Sequence, residues 1–336
     1  MAKLSYDQVV HTILIASAAE FLAYLRRSNG HWWENRECPW IFRGQWDAEW
    51  KLEPSAFRRI GGSPFRKLWE TFRTTIKPGS ADWEFDVRAQ WMAESEALAQ
   101  FAELARAARL PISSSPLRPW VVPAGRGNPG RNHFFAREDN TFDHMCPDLP
   151  IGPLAQHHGV PTRLIDFTKD PVLAAYFATL APTSADDELP ESLAVWAFNS
   201  TSWVFRQFLS EVVFIDSVDG GFDVDDYMLN QEGCFVLLKQ AARFRSSIGE
   251  WPTLERVLEL FVDRINAGED SDAQRWPIVA AREPCPFPLL RKVELPHSET
   301  RKLAELLERE GISLAHLMPT FDNVARTLQA RWSMME

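Results

Sequence analysis

A turn, a strand and a helix follow one another without a gap between residues 155 and 178. The Gln-His-His-Gly sequence at 156–159 ends a short helix or turn, and Pro161 begins an extended piece. Asp170-Pro171 then supplies a helix N-cap and the proline that is favoured at the first helical position. The sequence therefore predicts a strand over Thr162–Phe167 with a helix directly behind it. This segment is more polar than a structural strand needs to be, so we expect a site here.

Composition limits the class of protein that can carry such a site. The chain has 336 residues, of which 45% are hydrophobic, enough for one large or two ordinary domains with a buried core. The apolar run Val9–Ala19 is too short to span a bilayer and is a poor signal peptide. The four cysteines lie far apart, which favours neither a disulfide framework nor a zinc site. We expect a cytoplasmic protein with no membrane partner and no metal.

The net charge of −10 argues against generic nucleic-acid binding, which depends on many cations that neutralise phosphates. The charge is uneven, since residues 105–137 contain six arginines and no acidic residue. Such a stretch can approach an anionic ligand, but a solvated loop paired with acidic groups of the same protein is the simpler interpretation. Nine of the fourteen tryptophans precede residue 121, and large aromatics are more often core anchors than stacking surfaces.

Capping residues, glycines and prolines predict a mixture of helices and strands. Ser17–Glu20 is a capping box for a helix to about Ser28, residues 10–15 form a strand or a helical turn, and Ser298 caps a helix that Gly311 ends. The predicted strands are residues 39–44, Thr162–Phe167, Leu193–Asn199, Glu211–Asp216, Gly233–Lys239 and Leu289–Leu295, and the other predicted helices are Phe65–Phe72, Phe85–Leu110 and Phe321–Trp332. Apolar residues at the helical period, Leu104 among them, predict a core-facing side for the second of these helices.

The least regular region runs from Pro111 to Pro150 and contains seven prolines. A connection of this length is typical of a functional loop, a lid or disorder. Its stretch Gly125–Gly130 matches G-x-G-x-x-G, but Pro129 stands where a helix must begin and no clear strand precedes it. We therefore do not interpret it as a dinucleotide-binding loop.

Alternation along the strand after Pro161 separates its side chains into two sets. Thr162, Leu164 and Asp166 share one face. Arg163, Ile165 and Phe167 share the other. Arg163 and Asp166 therefore need separate partners. A ligand is one candidate for each, a structural salt bridge is the alternative for Arg163, and an Asx or capping bond is the alternative for Asp166. In the following helix, the expected core-facing residues are Leu173, Tyr176, Phe177 and Leu180.

Several motifs that lie far apart in the chain occur together. They are Phe42-Arg43-Gly44-Gln45, the run from Gln156 to Thr168, the run from Pro171 to Ala178, Asn230-Gln231-Glu232-Gly233-Cys234-Phe235, and Glu310-Gly311-Ile312 with Leu317-Met318-Pro319. In combination they resemble the FRG domain over about residues 17–330. We therefore interpret residues 1–336 as a single FRG domain, in which residues 58–150 form a helical insertion and an irregular loop rich in proline and arginine.

The arrangement of these blocks is similar to that of ADP-ribosyltransferases. The resemblance implies an α+β fold with a central twisted mixed or antiparallel sheet of about five to seven strands, flanked by helices. It also implies NAD as the bound substrate, with a hydroxyl residue and an acidic or amide residue beside it. The implied catalytic residues are Arg43, Thr168, Gln231 and Glu232. The implied cofactor-binding residues are Arg43, Gly44, Gln45, Gln156, His157, Arg163 and Asp166.

Three functions remain open from the sequence. The first is ADP-ribosyl transfer to an unknown acceptor or NAD glycohydrolysis, in a toxin or anti-phage effector. The second is a non-catalytic sensor that binds a nucleotide or an NAD-derived ligand, and the third is a module for protein or nucleic-acid interaction. His157 has a structural alternative, and only one of Gln231 and Glu232 can point into a site if both lie on a strand. A cleft that gathers Arg43, His157, Asp166 and Gln231 would favour the first function.

Overall fold

A computed structural model of the chain describes residues 3–34, 36–58, 63–75, 82–112, 151–181, 189–209, 211–216, 226–268, 271–280 and 287–333. The predictions for the proline-rich loop, its G-x-G-x-x-G stretch and its arginines beyond Arg109 lie outside these residues.

Seven strands form one mixed sheet. They are β1 (Val10–Leu14), β2 (Trp40–Gln45), β3 (Leu164–Thr168), β4 (Ser192–Asn199), β5 (Val212–Asp216), β6 (Gly233–Leu238) and β7 (Leu290–Pro296). Their order across the sheet is β1-β7-β4-β2-β3-β6-β5. β1 and β7 are parallel and every other neighbouring pair is antiparallel. The α+β class and the mixed sheet agree with the prediction, and residues 10–14 are a strand.

Helices flank the sheet on both faces. The described helices are α1 (Tyr6–Val9), α2 (Ala18–Leu25), α3 (Pro64–Thr75), α4 (Asp82–Ala107), α5 (Gly152–His157), α6 (Pro171–Ala178), α7 (Trp203–Gln207), α8 (Asp226–Asn230), α9 (Ala241–Ile248), α10 (Leu254–Ala267), α11 (Ser271–Ala280), α12 (Thr300–Arg309), α13 (Leu314–Leu317) and α14 (Phe321–Ser333). Short 3₁₀ turns lie at Gly30–Trp32, Ser55–Phe57 and His297–Glu299. α3 and α4 pack together within the segment 58–150.

Alternating side chains divide the core between the two faces of the sheet. Phe42 and its neighbour Trp40 on β2 pack with α2, α6 and α12 on one face. Ile41, between them in sequence, packs on the other face with α10. The strands β2 and β4 are apolar on both faces because both faces are covered.

The turn that leads from β3 into α6 has the predicted capping. Asp170 Oδ1 accepts hydrogen bonds from the backbone N–H groups of Val172 at 2.7 Å and Leu173 at 3.4 Å, and Pro171 occupies the first helical position. Gly159, which follows α5, has φ +84°, where a side chain would be strained. This part of the chain therefore folds as its local sequence predicts.

Three predicted details are wrong. α2 ends at Leu25 rather than near Ser28. Ser298 lies inside a 3₁₀ turn and does not cap α12, because that turn places Glu299 at the N-cap position. In the same turn, His297 Nε2 is hydrogen-bonded to the backbone oxygen of Trp46 at 2.6 Å. Leu104 and Leu180 are exposed rather than buried. α6 stops at Ala178, so the helical period that places Leu180 inward has already ended there.

Candidate functional site

The sheet opens between β2 and β3. These strands share a single paired position, Phe42 with Thr168, although both strands are described in full. Beyond that pair a cavity of about 320 Å³ lies at the opening. It is lined by Phe42, Arg43, Gly44, Gln156, His157, Asp166, Phe167, Thr168, Phe177, Met228, Gln231, Gly233, Phe235 and Met318. Residues from distant parts of the sequence thus converge on one concave surface.

Arg43 extends from β2 across this opening. Its Nη1 donates to the backbone oxygen of Asp166 at 2.9 Å and to Asp166 Oδ2 at 3.4 Å. The side chain is 16% exposed, and Nε is buried with no hydrogen-bond partner among the described residues. A buried N–H group without an acceptor costs about 1–3 kcal/mol. Arg43 is therefore suited to receive an anionic oxygen.

Asp166 lines the cavity and uses one of its two carboxylate oxygens for hydrogen bonds to described side chains. Oδ2 accepts from Arg43 and, at 3.0 Å, from Gln156 Nε2. Oδ1 accepts no hydrogen bond from the described residues, and the side chain is 47% exposed. The carboxylate is held in place without being covered, so Oδ1 is available to a ligand.

Gln156 fixes the orientation of this acid. Its Oε1 accepts from Thr162 Oγ1 at 2.6 Å, from Thr162 N at 3.2 Å and from Ser55 Oγ at 3.1 Å. Because three donors point at Oε1, the amide nitrogen must face Asp166. Gln156 thus connects α5, the start of β3 and the segment before α3.

Thr168 and Gln231 both line the cavity and are hydrogen-bonded to each other. Thr168 Oγ1 donates to the backbone oxygen of Gln231 at 2.7 Å and accepts from the backbone N–H of Asp170 at 3.0 Å. The Thr168 hydroxyl proton is therefore already used within the protein. The hydrogen bond from Thr168 stabilises the turn that contains Gln231, a residue that lines the cavity.

Gly44 allows a helix to approach the sheet closely. A Cβ atom on this residue would lie 1.9 Å from the backbone oxygen of Ala174 and 2.6 Å from the backbone nitrogen of Ala178. Glycine is therefore required because α6 packs directly on β2.

His157, the last residue of α5, also lines the cavity, and its ring packs edge-on against His158.

Three candidate residues do not line the cavity. Arg163 points away from it and forms a buried ion pair with Glu94, at 2.7 Å from Nε to Oε2. Gln45 is buried, where it accepts a hydrogen bond from Trp196 Nε1 at 2.8 Å. Glu232 pairs with Arg27 at 3.0 Å on the surface, and it lies in the turn before β6 with a φ of +46° rather than on a strand.

An apolar wall and a second arginine at the site are not predicted by the sequence. Phe42, Phe177, Phe235, Met228 and Met318 provide the apolar lining. Phe42, Phe177, Phe235 and Met318 lie within the shared motifs, and the sequence gives no other indication of this wall.

Arg58 is the second arginine, and it lies close to Arg43 and Asp166. Burial lowers the pKa of Arg58, and the charge of Arg43 lowers it further, while Asp166 and Glu53 oppose both effects. Arg58 therefore places a second guanidinium group near Asp166.

Among the described residues, no group of three or more histidine, cysteine, aspartate or glutamate side chains has the arrangement of a metal site. No described helix is both long enough and apolar enough to cross a membrane.

Comparison with known proteins gives one match, to a family. No curated protein and no solved structure matches the chain. The family described as FRG domain matches residues 131–187, a range that includes Gln156, His157, Asp166, Thr168 and Phe177 of the cavity. Residues 131–187 therefore match the FRG domain, as the motifs within this range predicted.

Proposed function

We propose that the cavity binds NAD or a related nucleotide and that the protein transfers or hydrolyses its ADP-ribosyl group. The observation that carries this proposal is the arrangement of Arg43 and Asp166. One offers a buried donor without an acceptor, and the other offers a carboxylate oxygen that accepts no hydrogen bond from the described residues. Both lie on the wall of one cavity with an apolar lining.

The guanidinium of Arg43 suits a phosphate or ribose oxygen of the nucleotide. Arginine presents directed donors that stay charged at all physiological pH values. An oxygen placed at Nε satisfies the buried N–H, and the nearby charge of Arg58 adds to the attraction. Phosphate binding by Arg43 therefore supplies affinity and orientation rather than chemistry.

The carboxylate of Asp166 suits the sugar. When the bond between nicotinamide and ribose breaks, its electron pair leaves with nicotinamide and the ribose carbon gains positive charge, as in glycoside hydrolysis. A negative oxygen fixed beside that carbon stabilises the transition state. An acceptor hydroxyl, amine or water then bonds to the carbon and loses its proton. Asp166 is the described carboxylate residue that lines the cavity.

The size and lining of the cavity fit part of a dinucleotide. About 320 Å³ is at the small end of the range for ligand pockets. The apolar wall formed by Phe177, Phe235 and Met318 suits a flat ring such as nicotinamide or adenine. The rest of the nucleotide would extend from the cavity mouth.

The alternative is a sensor that binds the nucleotide without cleaving it. Glu232, the acidic residue of the third motif, pairs with Arg27 outside the cavity and supplies no second carboxylate. A site with one carboxylate and strong phosphate recognition can bind without turnover. A catalytic protein would consume NAD in the cytoplasm as a toxin or an anti-phage effector, and its acceptor is a protein, a nucleic acid, a small molecule or water.

The test is nicotinamide release from NAD by the purified protein, with and without cell lysate, together with NAD binding measured by calorimetry. Arg43→Ala should abolish both, whereas Arg66→Ala, which removes an arginine of α3 that pairs with Glu70 away from the cavity, should abolish neither. Binding without release would support the sensor. Absence of both binding and release in the wild type would contradict the proposal.

A further inference from the structure

The last helix carries a stripe of large apolar side chains that faces solvent. Phe321, Val324, Leu328 and Trp332 recur at spacings of three and four residues, so at about 3.6 residues per turn they share one face of α14. Phe321 is 95% exposed and Trp332 is 57% exposed, and the two aliphatic residues between them are also exposed. Exposed apolar residues are ordinary when scattered, but a continuous stripe marks an interaction surface.

Polar bonds, rather than this stripe, hold α14 to the protein. Asn323 Nδ2 donates to the backbone oxygen of Met318 at 2.8 Å, and Thr327 Oγ1 accepts from the backbone N–H of Ala315 at 3.2 Å. Asn323 is the buried residue of the helix, and Arg331 pairs with Glu308. None of the four stripe residues belongs to a described hydrophobic cluster. The amphipathic helix thus keeps its apolar face outward.

We infer that this stripe is the interface through which two copies of the chain associate, with their α14 helices antiparallel about a twofold axis. The stripe is self-complementary in this orientation, because an aromatic ring stands at each end and aliphatic side chains stand between. The ring of Phe321 then lies level with Trp332 of the partner subunit. Closed twofold pairs of this kind are the commonest soluble oligomers.

The charges of α14 also favour the antiparallel pair. Asp322 lies in the first turn, whereas Arg331, whose side chain stays 54% exposed beside Glu308, lies in the last turn of the helix. In an antiparallel pair, the acidic end of each helix is level with the basic end of the other. A parallel pair would place like charges level with one another, which is unfavourable.

The exposed area indicates a weak dimer. The two aromatic side chains alone expose on the order of 300 Å² in each chain. With the aliphatic residues, the pair would bury roughly 1,000 Å² in total, which is the lower limit for a specific interface. Because the core does not include the stripe, each chain folds alone. Because the buried area is small, the dimer has a dissociation constant of about micromolar magnitude.

Sedimentation equilibrium of the full chain, from about 1 to about 200 µM, tests this inference. The mass of the wild type should rise from one chain to two. Phe321→Glu and Leu328→Glu should each weaken the association about tenfold or more. The first places a carboxylate at the end of a buried apolar contact, and the second places one near its centre. Leu104→Glu is the matched control, since it makes the same kind of change at an exposed leucine of α4.

All three substitutions are at exposed positions, so the folded state is expected to persist, and circular dichroism checks this. A wild type that stays at one chain throughout the range overturns the inference. A dimer that survives both Phe321→Glu and Leu328→Glu, or one that Leu104→Glu disrupts instead, also overturns it. A continuous increase beyond two chains contradicts a closed twofold pair.

Discussion

Arg43 reaches Asp166 twice with the same nitrogen: Nη1 lies 2.9 Å from the backbone oxygen and 3.4 Å from Oδ2. The first contact satisfies a backbone oxygen of β3 at the point where β2 and β3 are no longer paired. The second contact orients a carboxylate that remains open to the cavity. Arg43 therefore connects β2 to β3 where the two strands are no longer paired, and it also orients a carboxylate of the adjacent cavity.

Asp166→Asn should strongly reduce nicotinamide release while changing the stability of the fold only slightly. The substitution keeps the shape of the side chain but removes its charge, so nicotinamide release should fall about 100-fold or more. Because the pair with Arg43 is partly exposed, the free energy of unfolding should change by about 1 kcal/mol or less. Glu232→Gln is the control, because it removes the carboxylate that pairs with Arg27 outside the cavity. If Glu232→Gln causes the larger loss of activity, Asp166 is not the catalytic carboxylate.

Gly44→Ala should destabilise the fold strongly. The new methyl group would overlap the backbone of α6 at Ala174 and Ala178, where no side chain can rotate away. The helix would have to move off β2, at an expected cost of about 3 kcal/mol or more in the free energy of unfolding. Urea denaturation measures this cost. Gly30→Ala is the control, since no atom lies within 4 Å of its added methyl group.

Arg163→Met should reduce stability without changing ligand affinity. It removes the partner of Glu94, whose buried carboxylate then keeps, among the described residues, only Gln90 Nε2 as a donor at 2.9 Å. Removing one member of a buried ion pair costs about 3–5 kcal/mol. Replacing Glu94 by leucine in the same protein should recover part of this loss. A large loss of NAD affinity in a fully folded Arg163→Met protein would instead assign Arg163 to the ligand.

Glu255 should give stability a specific dependence on pH. Burial raises the pKa of Glu255 above its ordinary value of 4.5, and its hydrogen bonds from the backbone N–H of Leu52 oppose this only in part. A raised pKa means that the folded state binds the proton more tightly than the unfolded state. The contribution of this group is therefore fully present below pH 4.5 and is lost as the pH rises through its folded pKa.

The corresponding measurement compares Glu255→Gln with the wild type. Because glutamine cannot ionise, the free energy of unfolding of the variant relative to the wild type should increase as the pH rises above 4.5. Glu259→Gln, at a half-exposed residue of the same helix that pairs with Arg256, is the control for the substitution itself. A constant difference between Glu255→Gln and the wild type across this range would contradict the prediction.

Local signals predicted the strands and the capped helices because each depends on residues that are near in sequence. Asp170 and Pro171 start α6 by themselves, and Gly159 ends the turn after α5 by its backbone conformation. Alternation along β3 also separated Arg163 from Asp166 correctly. The shared motifs indicated that Arg43 and the Gln156–Thr168 segment belong together, and the cavity contains residues of both.

Long-range packing decided the rest. Which face of β3 becomes the cavity depends on Glu94 of α4, which lies 69 residues before Arg163 and takes it as a partner. No feature near Arg163 in sequence contains that information. Similarly, the position of Gln156 depends on Ser55, 101 residues earlier. The exposed stripe of α14 has the helical period of a core-facing side, so periodicity alone could not show that it faces solvent.

Gln156 is the remaining point at which the geometry can be tested. Its amide nitrogen donates to Asp166 Oδ2 at 3.0 Å, while Ser55 and Thr162 donate to its oxygen. The direction of each bond therefore requires an amide and not a carboxylate at this position. Gln100 offers a comparison on the surface of α4, where its Nε2 donates to Glu96 Oε1 at 2.7 Å.

Gln156→Glu should lower NAD affinity about tenfold or more, because a second carboxylate would face Asp166 where a donor stood and would displace it. Two carboxylates in contact raise the pKa of one of them, so a proton shared between them restores a donor at low pH. Affinity measured by calorimetry should therefore recover partly between about pH 7 and pH 5 in this variant, but not in the wild type. Gln100→Glu should change neither affinity nor its pH dependence, since water screens that pair. Equal behaviour of the two variants would show that the orientation of Asp166 does not depend on Gln156.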